Sequence, residues 1–305
     1  MMLKISILTA TYNREKLLPK LYQSLVQNSE TYANFEWLIM DDGSTDGTNE
    51  LVSKWTAEKK IDIHYYYQEN AGKMAAINNL AKYVTGDIWI EMDSDDVFMD
   101  HVLGQIANDY ETLPLDAYGI LYYKQLNGHI EMDQNLENQI IKLYDLHYKF
   151  GYSYDMALTF RTSIRQQYQY ELEKNERFIT EARMYYKMDQ AYNGLLIKNR
   201  MIMNCEYFND GYTKNILDVY QKYPYGYFEY FKELLNYPRQ NILKSKRMYM
   251  VKHYILFCTL THVGFRKAIQ NVKVLKNKWL VFLLYWPGKL KTLQKFKNRK
   301  TEGME

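Results

Sequence analysis

Four short, β-prone apolar runs in the first hundred residues each stop in a cluster of polar side chains. The runs are residues 4–9, 35–40, 61–67 and 88–92. The clusters are Thr11-Tyr12-Asn13-Arg14, Asp41-Asp42-Gly43-Ser44-Thr45-Asp46-Gly47, Glu69-Asn70-Ala71-Gly72-Lys73 and Asp93-Ser94-Asp95-Asp96. Between them, Leu17, Leu18, Leu21 and Leu25 mark a helix over 15–27. A second helix over 48–57 follows a Ser/Thr/Asp cap, and a small-residue helix over 74–83 ends before Gly86. Strands alternating with helices at this spacing make βαβ units and a mostly parallel sheet, which the apolar stretch 118–123 extends. Ligands of open α/β sheets bind beyond the carboxyl ends of the strands, so the four clusters converge on one crevice.

The last cluster holds three carboxylates in four residues. Like charges so close repel, and each is costly to keep ionised away from water without a neutralising partner. Mg²⁺ or Mn²⁺ suits such a set, because hard cations prefer carboxylate oxygen and are completed by water and substrate phosphates. The plain alternative is an acidic turn whose aspartates cap a helix over 97–110. The three companion clusters weigh against that alternative. At the third, Gly72 lets backbone approach a ligand and Lys73 can meet a phosphate.

Together these clusters resemble glycosyltransferase family 2, with its GT-A fold. The resemblance rests on residues 6–14, 36–48, Asn70-Ala71-Gly72-Lys73 with Ala76 and Asn78, and Asp93-Ser94-Asp95-Asp96. It implies an inverting transfer of sugar from a nucleotide donor, with Mn²⁺ or Mg²⁺ as cofactor. The implied donor-binding residues are Thr9, Thr11, Arg14, Asp42, Asn70, Gly72, Lys73, Asp93 and Ser94. Asp42 matches the family aspartate that accepts the uracil N3–H, which implies a UDP-sugar. Asp95 and Asp96 are the implied metal ligands. Asp41 reads as a cap or structural partner, and Asp46 as turn chemistry.

Inverting transfer needs a base for the acceptor hydroxyl. The resemblance places it at Glu181, in a loop-to-helix stretch over 177–192. Glu176 and Glu173 are weaker substitutes, and Ala182 stands where many members carry a second acid. The plain alternative for Glu181 is an acid favoured by the helix dipole. Asn209-Asp210-Gly211-Tyr212-Thr213 resembles a loop that closes over the diphosphate or acceptor, and is equally compatible with a turn.

Residues 1–215 are expected to form the GT-A domain, with a nucleotide-sugar half to about 125 and an acceptor half to about 215. Residues 216–305 read as a basic helical appendage interrupted at Pro224, Pro238 and Pro287. The formal charge of +3 hides an asymmetry: from Arg239 onward there are 16 Lys/Arg and 2 acids. Trp279-Leu280-Val281-Phe282-Leu283-Leu284-Tyr285-Trp286, flanked by lysines, is too short to span a bilayer, which needs about 20 apolar residues. It reads as an interfacial helix on the cytoplasmic membrane face or as a packed hairpin. No nucleic-acid motif accompanies the basic charge. The two cysteines show no metal-type spacing and no disulfide framework. The 31 tyrosines suit sugar binding or an interface. The expected acceptor is a glycan or lipid-linked glycan of surface polysaccharide synthesis. Two rival readings are a sugar-phosphate nucleotidyltransferase, which wants a Gly-rich loop after the first strand, and a non-catalytic membrane-bound assembly partner.

Overall fold

The computed structural model describes residues 2–126, 134–174, 176–205, 216–238 and 241–302. Its first strands and helices follow the expected alternation: β1 (Ile5–Thr11), α1 (Leu18–Ser29), β2 (Phe35–Asp41), α2 (Thr48–Glu58), β3 (Asp62–Tyr67), α3 (Lys73–Leu80) and β4 (Ile88–Glu91). Then come β5 (Val97–Phe98), α4 (Val102–Glu111), β6 (Ala117–Leu126), β7 (Ile140–Ile141), α5 (Leu143–Tyr148), β8 (Met156–Arg161), α6 (Thr162–Arg165), α7 (Ala182–Ala191) and β9 (Gly194–Cys205).

The sheet order is β3-β2-β1-β4-β8-β6-β9-β5, with β7 on β9. The first four strands run parallel, as expected. Beyond β4 the directions mix: β8 lies antiparallel between β4 and β6, while β6 and β9 are parallel. Because β2 lies on one side of β1 and β4 on the other, a crevice opens between β1 and β4 at their carboxyl ends.

β1 and β2 are buried on both faces, which explains their near-continuous apolar runs. On one face Trp37 stacks with Tyr22 and Trp55 at 6.4 and 6.2 Å between ring centres. Burying the indole requires an acceptor for its N–H, and Thr9 Oγ1 provides one at 3.0 Å.

The helix expected over 97–110 begins later, at Val102. Residues 97–98 instead pair with β9, and His101 takes a left-handed conformation. The buried Asn28 of α1 supplies the cap: its Oδ1 accepts from Val102 N and Leu103 N at 2.9 and 3.2 Å. A cap brought from 74 residues away leaves no local signature.

Two compact units divide the chain. The first comprises Met1–Leu143, Ser153–Tyr170 and Met184–Asn209; the second comprises Tyr144–Tyr152, Glu171–Arg183 and Asp210–Glu305. A single boundary near 215 was expected, yet two earlier segments also join the helical unit because their partners lie there. Tyr144 stacks on Tyr237 at 3.7 Å, Leu243 N donates to Tyr148 O, and Arg183 pairs with Glu233 at 2.8 Å.

The second unit is built from α8 (Ile216–Lys222), α9 (Pro224–Leu235), α10 (Lys244–Leu260), α11 (Phe265–Gln270) and α12 (Leu275–Glu302). Its tyrosines are mainly structural. Tyr220, Tyr227, Phe231 and Phe257 form a buried aromatic cluster. Among the described residues no helix is long and apolar enough to cross a membrane.

In the first unit a buried ion pair precedes the acidic cluster. Arg165, 1% exposed, donates twice to Glu91 Oε1 at 2.7 and 3.0 Å, while Tyr170 donates to Glu91 Oε2 at 2.6 Å. The guanidinium lies over Trp89 and Tyr170. Removing one partner strands the other's charge away from water. Arg165→Met is expected to cost about 3–5 kcal/mol in urea unfolding, with partial recovery on adding Glu91→Gln. A loss under about 1 kcal/mol would assign the pair no structural role.

Candidate active site

The site lies in the first unit, at the carboxyl ends of β1, β2, β3 and β4. The β1–α1 and β2–α2 loops are knitted together. Asn13 N donates to Ser44 Oγ at 2.9 Å, Thr45 N to Asn13 Oδ1 at 2.8 Å, and Arg14 N to Thr48 Oγ1 at 3.2 Å. Asp46 accepts from Thr48 N and Thr48 Oγ1, and from Glu15 N, which is turn and helix-start chemistry. Asp41 accepts from Ser44 N and from Tyr65 OH at 2.7 and 2.6 Å, a structural partner as read from the sequence.

Asp42 organises the third loop. Its Oδ1 accepts from Gln68 Nε2 and Ala71 N, both at 2.7 Å, and its Oδ2 accepts from Gly72 N at 2.8 Å. Asn70 Nδ2 returns a bond to Asp42 O at 2.9 Å. Two consecutive amides reach one carboxylate because Gly72 holds φ at +94°, a conformation that a side chain disfavours. Gly43, at φ +86°, packs so closely that a Cβ there would meet Asn70 N at 3.0 Å. A carboxylate has about four acceptor positions, so three internal bonds leave Asp42 one for a ligand.

Thr9 and Thr11 part company. Thr9 is fully buried and its hydroxyl serves Trp37, so its side chain belongs to the core and not to a nucleotide. Thr11, 2% exposed, carries a hydroxyl with no hydrogen-bond partner among the described residues.

In the acidic turn, Lys73 Nζ lies 2.5 Å from Asp93 Oδ1. Burial alone would raise the Asp93 carboxyl; Lys73, Lys124 and Arg14 outweigh it and hold the carboxyl below its usual range. Asp95 goes the other way. Burial raises it first, Asp93 adds repulsion, and Arg14 and Lys73 oppose. Burial likewise pushes Asp96 up to about 6, against the pull of Lys124 and with the push of Asp93. Lys124 Nζ stands 3.4 Å from Asp96 Oδ2 and 3.2 Å from Asp155 Oδ2. Ser94, between the first two aspartates, is buried.

The structure thus brings together Thr11, Arg14, Asp42, Asn70, Gly72, Lys73 and residues 93–96 on one edge of one unit. It adds Lys124 and Asp155, which the sequence reading passed over. Lys124 had a signal, as the first charge after the apolar run of β6; Asp155 had none. Asn78, quoted for the resemblance, staples α3 to the Tyr170 backbone by two bonds of 2.9 Å.

All three candidate bases belong to the second unit. Glu176 accepts from Tyr225 N and Gly226 N, both at 2.7 Å, and so caps α9. Glu173 pairs with Arg183 at 3.1 Å. Both substitutes are committed to structure. Glu181, half-buried, immediately precedes α7. Residues 209–213, read as a closing loop or a turn, lie outside the described residues.

Among the described residues, a further group of possible metal ligands is Glu36, Asp62 and His64. It sits at the opposite, amino edge of the sheet. Glu36 there already accepts from Lys4, Ser6 and Thr85, and Asp62 pairs with His64. These bonds account for the group without a cation.

The sequence profile described as Glycosyl transferase family 2 matches residues 6–168. The chain belongs to glycosyl transferase family 2. The chain is similar to an uncharacterized glycosyltransferase of Mycoplasma pneumoniae, at 32% identity over 124 residues, 40% of this chain and 42% of that protein. The chain thus spans less than half the length of that curated relative. The fold resembles that of Staphylococcus aureus TarS 1–349 in complex with UDP-GlcNAc, at TM-score 0.59 and 15% identity, over 98% of this chain and 92% of that one. It also resembles the mannosyltransferase PcManGT of Pyrobaculum calidifontis in complex with GDP-Man and Mn²⁺, at TM-score 0.55 and 14% identity, over 96% and 84%. This family 2 chain therefore shares the GT-A architecture of those proteins.

The raised Asp96 carboxyl has a sign that can be tested. The folded state holds its proton up to about 6, whereas an open chain releases it near about 4. Between those values the folded state binds more protons, so the contribution of Asp96 to stability falls as pH rises. In thermal unfolding without divalent cation, wild type is expected to lose stability relative to Asp96→Asn across that window. Parallel pH profiles would contradict the assignment.

Proposed function

We propose that this chain is an inverting, metal-dependent glycosyltransferase that moves sugar from a UDP-linked donor to a glycan or lipid-linked glycan in surface polysaccharide synthesis. The observation that carries the reading is the acidic turn after β4, set between Lys73 and Lys124 beside the loop folded on Asp42. The donor set is all oxygen, and Asp95 and Asp96 carry repulsion that a dication would relieve, which fits Mn²⁺ or Mg²⁺. Asp95, half-buried, would be the main ligand, with Asp96 held towards Lys124. The bound ion would supply Lewis-acid stabilisation of the departing diphosphate.

The chain's own residues do the rest. Asp93, kept ionised by Lys73, orients the ribose or donor sugar beside Ser94. Arg14 and Lys73 add positive charge where the phosphates lie. Asp42 holds Ala71 and Gly72 in place and offers its remaining acceptor position to the uracil N3–H, while Asn70 lines the same loop. The Thr11 hydroxyl supplies a polar contact at the end of β1. TarS with UDP-GlcNAc supports a uridine donor, and PcManGT with GDP-Man keeps the base a matter for measurement.

Glu181 is the proposed base that takes the acceptor proton. Its support is the family resemblance, which matches Glu181 to the acid that opens a helix at this place. The proposed location is peripheral, at the cytoplasmic membrane face, and rests on the basic C-terminal region.

UDP release from a panel of UDP-sugars with Mn²⁺ tests the reading. Wild type is expected to hydrolyse one sugar slowly, Asp95→Ala to lose about 10²–10³-fold, and Glu181→Gln to lose transfer to acceptor with UDP affinity retained. No UDP binding by calorimetry, with no release, would sink the transferase and favour the assembly-partner reading.

A further inference from the structure

α12 is apolar on two opposite faces. Its inner face packs against α10 and α11 through the buried Val281 and Tyr285, and Gly288 permits close approach: a Cβ there would meet Ile255 Cγ2 at 2.9 Å. Its outer face leaves Trp279, Leu283, Trp286 and Leu290 at 55–63% exposure. Exposed apolar residues that recur every three or four positions form one stripe along a helix, and a contiguous stripe marks an interaction surface.

Along the same helix, within the second unit, α10 and α12 enclose a groove of about 310 Å³. Ile255, Leu256, Leu284 and Pro287 supply apolar walls, and Lys252, Lys291 and Lys295 border them. The groove follows residues 284 to 295 of α12, about 16 Å at the rise of a helix. Burial, with Lys295 and Lys252 close by, keeps the His253 imidazole below its usual value, so the groove's positive charge comes from the lysines.

We propose that this groove is a binding site for an anionic lipid, its acyl chain against the apolar walls and its phosphate among the three lysines. An apolar slot of this volume suits a hydrocarbon chain. A soluble anion would leave the walls unused, and a neutral lipid would leave the lysines unmatched. Charge complementarity extends beyond the groove, since the chain from Arg239 onward has 16 basic and 2 acidic residues. The outer stripe of α12 would rest on the bilayer that supplies the lipid, with its tryptophans at the interface. The proposal stands apart from the transferase chemistry, because no residue of the groove belongs to the crevice in the first unit.

Native mass spectrometry of the full chain, titrated with dioleoylphosphatidylglycerol, tests it. One lipid is expected to remain bound, with affinity falling about tenfold or more for the groove-filling Leu284→Trp and for the triple variant K252E/K291E/K295E. Dioleoylphosphatidylcholine should bind correspondingly more weakly, and millimolar inorganic phosphate should not displace the anionic lipid. Far-ultraviolet circular dichroism and thermal unfolding serve as the control for folding in both variants. Equal binding of the neutral lipid, displacement by phosphate alone, or retention by both variants would each overturn the proposal. Loss of lipid with UDP binding intact separates this site from the donor site.

Discussion

A carboxylate removed from water must find donors or a cation, and the first unit is assembled around satisfying that requirement. At the amino edge of the sheet, Glu36 is surrounded by Lys4, Ser6 and Thr85. At the carboxyl edge, Asp42 gathers two backbone amides and Gln68, and thereby shapes the loop that opens α3. At the last residue of β4, two before the acidic turn, Glu91 is held by Arg165 and Tyr170. Each of these carboxylates joins segments far apart in the sequence. The acidic turn is the exception: Asp93 and Asp96 have lysines nearby, yet Asp95 and Asp96 remain harder to ionise than an open carboxyl. Those two raised carboxyls are the observation on which the proposed metal site rests.

The second unit obeys a different constraint. Aromatic rings, many of them tyrosine, fill its core, and Arg183 collects Glu171, Glu173 and Glu233 around one guanidinium. Both arrangements remove candidate ligand-binding groups from consideration. Most of its described tyrosines are buried, and two of the three candidate bases are spent on helix capping and ion pairing. What remains at the surface of α12 is an apolar stripe, with a lysine-bordered groove on its α10 side, a combination suited to lipid.

The first half of the fold was largely legible because β1 to β4 and their helices are local in sequence and carry strong periodicity. Their polar ends named the crevice. Legibility failed where a distant residue made the decision. The start of α4 depends on Asn28, and the antiparallel place of β8 between β4 and β6 has no counterpart in local pattern. Thr9 looked like Thr11 in sequence, two residues away on the same strand face, yet the indole of Trp37 claimed its hydroxyl. Lys124 and Asp155 enter the acidic turn only through sheet pairing.

The sequence by itself determined the βαβ order, the polar cluster that ends each early strand, and the charge division between the body and the basic C-terminal region. Residue type and period are sufficient for these, since they follow from hydrophobic alternation, turn chemistry and counting. Tertiary structure alone decided which carboxylates are already satisfied and which still carry unrelieved charge. A carboxylate's ionisation depends on its burial and on donors within a few ångströms, and those donors come from strands and loops that only folding brings beside it.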